Sequence, residues 1–240
     1  MLSIVTLSSN CKTALKQTCD SVLSQKFSFT EKIPIEHIII DNVSSDGSIE
    51  FLKSKQPAYK NQKIDLIVRS EPDSGISDGF NKGVKLARYE NIHILNSGDL
   101  YQNNESLSSL IRFIQKNKFD ISYGDISIGK KFIEADSFYK SKIKGFMPRL
   151  NHPSMIIKKH VYETIGEYSQ EFKIAMDYEF LLRCHLQNII FKNRHDHLIY
   201  MDPNGVSNSR KLDGYKEVFR ISKFKFLTLI YIVYNFLRAN

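Results

Sequence analysis

Short apolar runs alternate with segments of helical period over the first hundred residues. "LSIVTL" (2–7), "IEHIIID" (35–41), "KIDLIVRS" (63–70) and "NIHIL" (91–95) are rich in Ile, Val and Leu and end in polar turns, which predicts four strands. Between the first two, "NCKTALKQTCDSVLSQ" sets Ala14, Leu15, Thr18, Val22 and Leu23 on one helical face. Between the last two, "SGISDGFNKGVKLA" does the same with Ile76, Phe80, Val84 and Ala87. Strand, helix, strand repeated in this way predicts an α/β fold with a mostly parallel sheet flanked by helices. Such sheets bind ligands outside the carboxyl ends of their strands.

The second half changes character. "FDISYGDISI" (119–128) predicts another strand, "HPSMIIKKHVYETIG" a strand or short helix, and "IAMDYEFLLRCHLQ" a clear helix. The intervening "KKFIEADSFYKSKIKGFMPRL" is basic and irregular. No Pro/Gly/Ser linker and no repeat interrupts the chain, so one domain is expected over residues 1–207, followed by a tail over 208–240.

Composition narrows the class. The 240 residues are 42% hydrophobic and 25% charged, which is a globular profile and enough chain for a proper core. No charged and apolar leader opens the chain, and Cys11, Cys19 and Cys184 show no C-x-x-C spacing. A cytoplasmic protein with reduced thiols is expected.

The net charge of +8 is concentrated at the end, where residues 209–240 hold seven basic side chains against Asp213 and Glu217. The same stretch contains the uncharged run "FLTLIYIVYNFL" (226–237). As a helix it would be about 18 Å long, short of the roughly 30 Å needed to cross a bilayer. An amphipathic C-terminal helix with basic flanks fits the inner face of the cell membrane. Packing on the protein's own core, or on a second subunit in a homo-oligomer, is the alternative. Nucleic acid is a poorer partner, because no exposed aromatics interleave with the basic residues in a recognisable motif.

Acids recur at strand ends. Asp41 closes the second strand, Asp73 follows the third in "RSEPDSG", Asp99 follows the fourth in "ILNSGDL", and Asp177 opens the late helix. A parallel sheet brings the first three to one edge, where a divalent metal carrying a diphosphate would offset their charge. Each also has a plain structural use. Asp41 with Asp46 and Gly47 makes turn and cap chemistry, Asp73-Ser74-Gly75 resembles a helix start, and Asp177 is a first-turn acid favoured by the helix dipole.

Taken in order, "LSIVTLSSN", "EHIIIDNVSSDGS", "SEPDSGISDGFNKGVKLA", "IHILNSGD", "HPSMIIKK" and "GEYSQEFKIAMDYEFLLR" resemble glycosyltransferase family 2, the inverting enzymes of the GT-A fold. The similarity covers roughly residues 2–207 and is nearest to enzymes of bacterial capsule, exopolysaccharide or O-antigen assembly. The resemblance implies that Thr6 and Asn10 line the nucleotide end of the first strand and that Asp41 accepts from the base of a nucleotide-diphospho-sugar, foremost a UDP-sugar. It places Asp73 and Gly75 beside the nucleoside and sugar. Asn81 and Lys82 lie in the adjacent helix, where Lys82 is equally a solvated lysine. Asn96 and Asp99 belong to the family's D-x-D region, with Asp99 the ligand of a Mg²⁺ or Mn²⁺ ion. His152 heads the acceptor side, and Asp177 matches the catalytic base.

The chemistry suits those roles. The departing diphosphate needs its charge stabilised, and a glycan or lipid-linked acceptor needs one base for a single inverting displacement. Glu179 is the fallback base, but it points about 200° away from Asp177 on a helix, so only one of them faces the site. Asn96 and Gly98 stand where many members carry acids, which leaves the metal to Asp99. "DPNGVSNSR" (202–210) resembles a segment that closes over the site in relatives, and is equally a Pro-Asn-Gly turn. His195 and His197 are weaker metal candidates. A non-catalytic sugar-nucleotide or glycan binder on the same fold is the alternative function, and the presence of Asp177 weighs against it. A dinucleotide oxidoreductase is excluded, because no G-x-G-x-x-G follows the first strand.

Overall fold

The computed structural model describes residues 1–27, 33–135, 150–230 and 232. Its first half is built as the apolar runs dictate. Strands β1 (Leu2–Ser8), β2 (Ile35–Asp41), β3 (Ile64–Ser70) and β4 (Asn91–Ile94) pair in parallel, in the order β3-β2-β1-β4. Parallel neighbours need crossovers, which are supplied by helices α1 (Lys12–Leu23), α2 (Ser48–Gln62) and α3 (Ile76–Leu86). β2 and β4 are buried along their whole length, whereas β3, at the sheet edge, is half open. On one face Leu15, Cys19 and Val22 of α1 and Leu52 and Tyr59 of α2 pack with Leu2, Ile4, Ile35 and Ile39. On the other, Phe80 and Val84 of α3 pack with Val5, Ile38 and Ile40. Gly83 permits that second contact, because a Cβ there would lie 2.3 Å from Val5 Cγ1.

Beyond β4 the sheet becomes mixed. β5 (Leu100–Tyr101), β6 (Ile121–Ile128), β7 (Lys131–Ile133), β8 (Ile156–Lys158) and β9 (Phe191–Met201) extend it in the order β4-β8-β6-β9-β5, with β7 on β6. Only β6 and β9 run parallel in this part; β4–β8, β6–β8, β5–β9 and β6–β7 are antiparallel. The remaining helices are α4 (Ser106–Lys116), α5 (Lys159–Ile165), α6 (Met176–Leu186), the short α7 (Val206–Ser209) and α8 (Lys211–Ile221). The expected strands and helices are found at their expected places. α2, α4, β5, β7 and β9 carry no expectation from the sequence, and among the described residues the parallel character is confined to the first half and the β6–β9 pair.

Of the expected C-terminal helix, residues 225–230 are helical, and residues 231 and 233–237 lie outside the described residues. Among the described residues no helix is long and apolar enough to cross a membrane.

Candidate active site

The carboxyl ends of β1, β2, β3 and β4 share one edge, as parallel pairing requires. There the loops enclose a cavity of about 730 Å³ whose lining includes Asp73, Gly75, Asn96, Asp99, His152 and Asp177. Six of the expected site residues are thus brought together from loops spread over a hundred positions.

Asp99 sits at the floor, 5% exposed. The turn that carries it contains Gly98, whose positive φ of 96° suits glycine, and Thr18 Oγ1 accepts from the Gly98 backbone N–H at 2.8 Å. Burial pushes the Asp99 carboxyl up to about 7, and the charge of nearby Asp202 adds to the rise. The larger opposing influence is the backbone N–H of Asp202, which donates to Asp99 Oδ1 at 3.0 Å, and the Asn96 backbone adds a smaller one. Asp202 follows β9 and lines the same cavity.

The chemistry of these side chains fits a divalent cation. Asp99 and Asp202 offer carboxylate oxygens, and Asn96 Oδ1 is buried without a hydrogen-bond partner. These are the hard oxygen donors that Mg²⁺ and Mn²⁺ take. Among the described residues no cluster of three or more His, Cys, Asp or Glu side chains forms, so phosphate oxygens and water would complete the shell.

Asp73 shapes the rim. Its Oδ1 accepts from the Gly75 backbone N–H at 2.9 Å, while its own N–H donates to Asn42 Oδ1 at 3.0 Å. Lys173 faces this rim, its Nζ 3.9 Å from the position a Gly75 Cβ would take. Among the described residues no carboxylate pairs with that ammonium, which makes it available to an anion in the cavity.

Asp177 stands in the first turn of α6, partly exposed, and its Oδ1 accepts from the Tyr178 backbone N–H at 2.7 Å. It lines a second, open groove of about 1040 Å³, bounded by Tyr178, Tyr215 and three lysines, Lys130, Lys131 and Lys211. Ile128, Ile133, Ile174 and Ser207 also border both spaces. Glu179 is committed elsewhere, in an ion pair with Arg183 at 2.7 Å. His152 is buried, stacked on Phe80, with Nε2 3.2 Å from the Tyr168 hydroxyl. Burial holds its imidazole below the usual value, against the opposite pull of Asp177.

Five expected residues do not line the cavity. Thr6 is fully buried between strands, donating to the Leu95 carbonyl at 2.6 Å and meeting His37 Nε2 at 2.8 Å. Asn81 exchanges two hydrogen bonds with the Tyr168 backbone, both 2.9 Å, and so ties α3 to the loop after α5. Lys82 Nζ donates to the Pro72 carbonyl at 2.6 Å and pairs with Asp78 at 3.2 Å. Asn10, in a left-handed conformation, accepts from the Ser45 N–H at 2.8 Å and joins the ends of β1 and β2. Asp41 lies fully buried behind Asn42; its Oδ2 accepts from Ser44 N and Ser70 Oγ, at 2.9 and 2.7 Å, and its Oδ1 has no hydrogen-bond partner. His195 occupies the bulge in β9 with positive φ, and His197 meets Ser127 Oγ at 2.7 Å.

The structure therefore sets a mixed α/β sheet beneath an acid-lined cavity at its carboxyl edge. The chain matches the model for glycosyl transferase family 2 over residues 3–173, and belongs to that family. A "PGL/p-HBAD biosynthesis glycosyltransferase" of Mycobacterium tuberculosis is 24% identical over 213 residues, covering 87% of this chain and 80% of that protein. Residues 1–349 of S. aureus TarS, solved in complex with UDP-GlcNAc, superpose with a TM-score of 0.69 at 19% identity, covering 95% of this chain and 69% of the other. The mannosyltransferase PcManGT of Pyrobaculum calidifontis, solved with GDP-Man and Mn²⁺, gives a TM-score of 0.64 at 15% identity, over 95% and 67% of the two chains. These two share the fold.

Lys173, Asp202 and the three groove lysines escape the sequence. Asp202 was visible only as part of a turn-like "DPNGVSNSR", and Lys173 as one lysine ahead of a helix.

Proposed function

We propose that the protein is an inverting glycosyltransferase that moves a hexosyl or N-acetylhexosaminyl group from a UDP-sugar to a hydroxyl of a glycan or lipid-linked acceptor, in the assembly of a bacterial surface polysaccharide. One observation carries the proposal: Asp177 lies on the wall common to the acid-floored cavity and the open groove. A donor in the first and an acceptor in the second would meet at that carboxylate.

The residues divide the work accordingly. Asp73 and Gly75 border the nucleoside and sugar, and the unpartnered Oδ1 of Asp41 supports a donor from the base reaching it past Asn42. Asp99 would hold the cation, with Asp202 and Asn96 beside it. A divalent ion, when bound, neutralises the diphosphate as a Lewis acid. Lys173 adds a fixed positive charge on the facing rim. Asp177 takes the proton of the acceptor hydroxyl while the hydroxyl oxygen attacks the anomeric carbon. The bond from that carbon to the diphosphate breaks, and its electron pair leaves with the UDP.

Lys130, Lys131 and Lys211 along the groove favour an acceptor that carries negative charge. His152, stacked on Phe80, stiffens the wall of the donor cavity. The exposed side chains of Leu212, Phe219, Phe226, Leu229 and Ile230, among basic neighbours, support contact with the inner face of the cell membrane.

A donor screen tests the proposal. UDP-GlcNAc, UDP-glucose and GDP-mannose are added with Mn²⁺, and thermal shift and slow nucleotide release are recorded. UDP-sugars should raise the melting temperature and release UDP. A response to GDP-mannose alone overturns the choice of donor, and binding without any release, in all donors, favours a non-catalytic sugar-nucleotide binder.

A further inference from the structure

The entry to α6 has no cap of its own. Ala175 precedes the helix and makes no side-chain capping bond, and alanine is among the poorest residues at that position. The amides that lead into the helix are held instead from α8. Glu217 Oε1 accepts from the Lys173 backbone N–H at 2.9 Å, and Oε2 accepts from Ile174 and Ala175 at 2.9 and 2.8 Å. Three consecutive amides thus converge on one carboxylate, and a negative group at this end also complements the helix dipole.

Two further contacts hold the same strip of chain. Gly214, one turn before Glu217, lies against Ile174, where a Cβ would come within 3.1 Å of Ile174 Cγ2. Arg220, one turn after, pairs with Glu171 at 2.7 Å. Residues 171–175 are therefore held along one face of α8. Lys173 and Ile174 line the donor cavity, and Asp177 follows Ala175 by two residues. A rotation of this strip would carry Asp177 with it.

We infer that Glu217 is a positioning residue for the transfer reaction: by clamping the amides of Lys173, Ile174 and Ala175 it fixes Asp177 at the meeting point of the two spaces. The inference rests on the role proposed for Asp177. It gives α8 a part in the reaction although no atom of Glu217 need touch a substrate.

The test is a double-mutant cycle on UDP release from UDP-GlcNAc with Mn²⁺, using Glu217→Gln, Asp177→Asn and the double variant. A displacement of about 1 Å in a reacting group costs up to roughly a hundred-fold in rate, so Glu217→Gln should lower kcat about ten- to a hundred-fold. The donor KM and calorimetric UDP affinity should stay within about twofold, as for loss of a contact that matters only in the transition state. Because Glu217 acts through Asp177, the double variant should be no slower than Asp177→Asn alone. Multiplying losses, or donor affinity falling in step with kcat, overturn the inference.

A second readout is independent of turnover. The Tyr178 amide, which donates to Asp177, should shift in the ¹⁵N spectrum of Glu217→Gln. If the wild type releases no UDP, the functional proposal fails, and an unmoved Tyr178 signal then overturns the clamp on its own.

Discussion

Asp202 and Asp99 lie 103 positions apart in the chain, yet the backbone N–H of Asp202 donates to Asp99 Oδ1 at 3.0 Å. One acid follows β4 and the other follows β9, so the floor of the cavity is completed only when both halves of the sheet have formed. The local motif "NSGD" supplies a single carboxylate, and the fold brings the second to it.

Substitution at this pair should separate the metal from the nucleotide. Asp99→Asn is expected to abolish the Mn²⁺-dependent part of UDP binding, while UDP affinity without metal changes little. Asp202→Asn should cost roughly 10–100-fold in Mn²⁺ affinity, the usual size for a supporting group. Calorimetry on the wild type and both variants, with and without Mn²⁺, reads both effects, and an Asp99→Asn protein that keeps the wild-type Mn²⁺ dependence would remove the metal from Asp99.

Asp177→Asn should lower transfer by roughly 10²–10⁴-fold, as expected for a lost general base, with UDP binding intact. Glu179→Gln should leave transfer nearly unchanged, because Glu179 is tied to Arg183 rather than turned to the cavity. Kinetic constants for the two variants, measured side by side, decide between the carboxylates. The reverse ranking would move the base to Glu179.

Glu217 makes stability depend on pH in a defined direction. Burial alone would raise its carboxyl, but the three backbone donors hold it below the ordinary glutamate value. A carboxyl depressed in the folded state contributes stability that is complete above its unfolded value and is lost as pH falls through the folded one. The melting temperature should therefore drop on acidification below about pH 4.5. Glu217→Gln should flatten that limb while starting from a lower plateau at neutral pH. Parallel melting curves for the two proteins would show that the carboxylate carries no folded-state shift.

Gly98→Ala meets two obstacles. The positive φ disfavours a side chain, and its Cβ would come 2.6 Å from Asp202 Oδ2. The variant should lose about 1–3 kcal/mol of stability. By displacing Asp202 it should also weaken Mn²⁺-dependent UDP binding. Gly83→Ala, which crowds Val5 far from the metal, should lose stability alone. Denaturant unfolding paired with calorimetry distinguishes them, and intact Mn²⁺ dependence in Gly98→Ala would show that the turn tolerates the shift.

Removal of residues 223–240 should reduce sedimentation with vesicles containing anionic lipid, where each basic side chain near the surface contributes about 1 kcal/mol. Undiminished sedimentation would favour packing of this segment on protein.

Much of the first half was legible because its strands are buried and its acids end them. The run "IIID" names both β2 and the position of Asp41, and Ile76, Phe80 and Val84 mark the face of α3 that covers the sheet. β9 was not legible. "FKNRHDHLIYM" alternates poorly because a bulge at His195 breaks its register with β6, and because Arg194 and Asp196 pair within the strand at 2.9 Å. α2 hid for a similar reason: Pro57 lies inside it and its apolar stripe is weak. The family resemblance implies that Thr6 and Asn81 lie near the donor, but a matched motif does not reveal which way a side chain points. The partners of Asp202 and Glu217 lie 103 and 42–44 positions away, beyond the reach of any local pattern.

The strip held by α8 also constrains how such enzymes can be recombined. The family match ends at residue 173, and a chimaera designed on that border would join Lys173 of one parent to a foreign α6. Its Glu217 equivalent would then have to cap amides it did not evolve beside. Exchange of acceptor specificity is better attempted with residues 171–221 moved as a single cassette, so that Asp177, the proposed base, and Glu217 travel together.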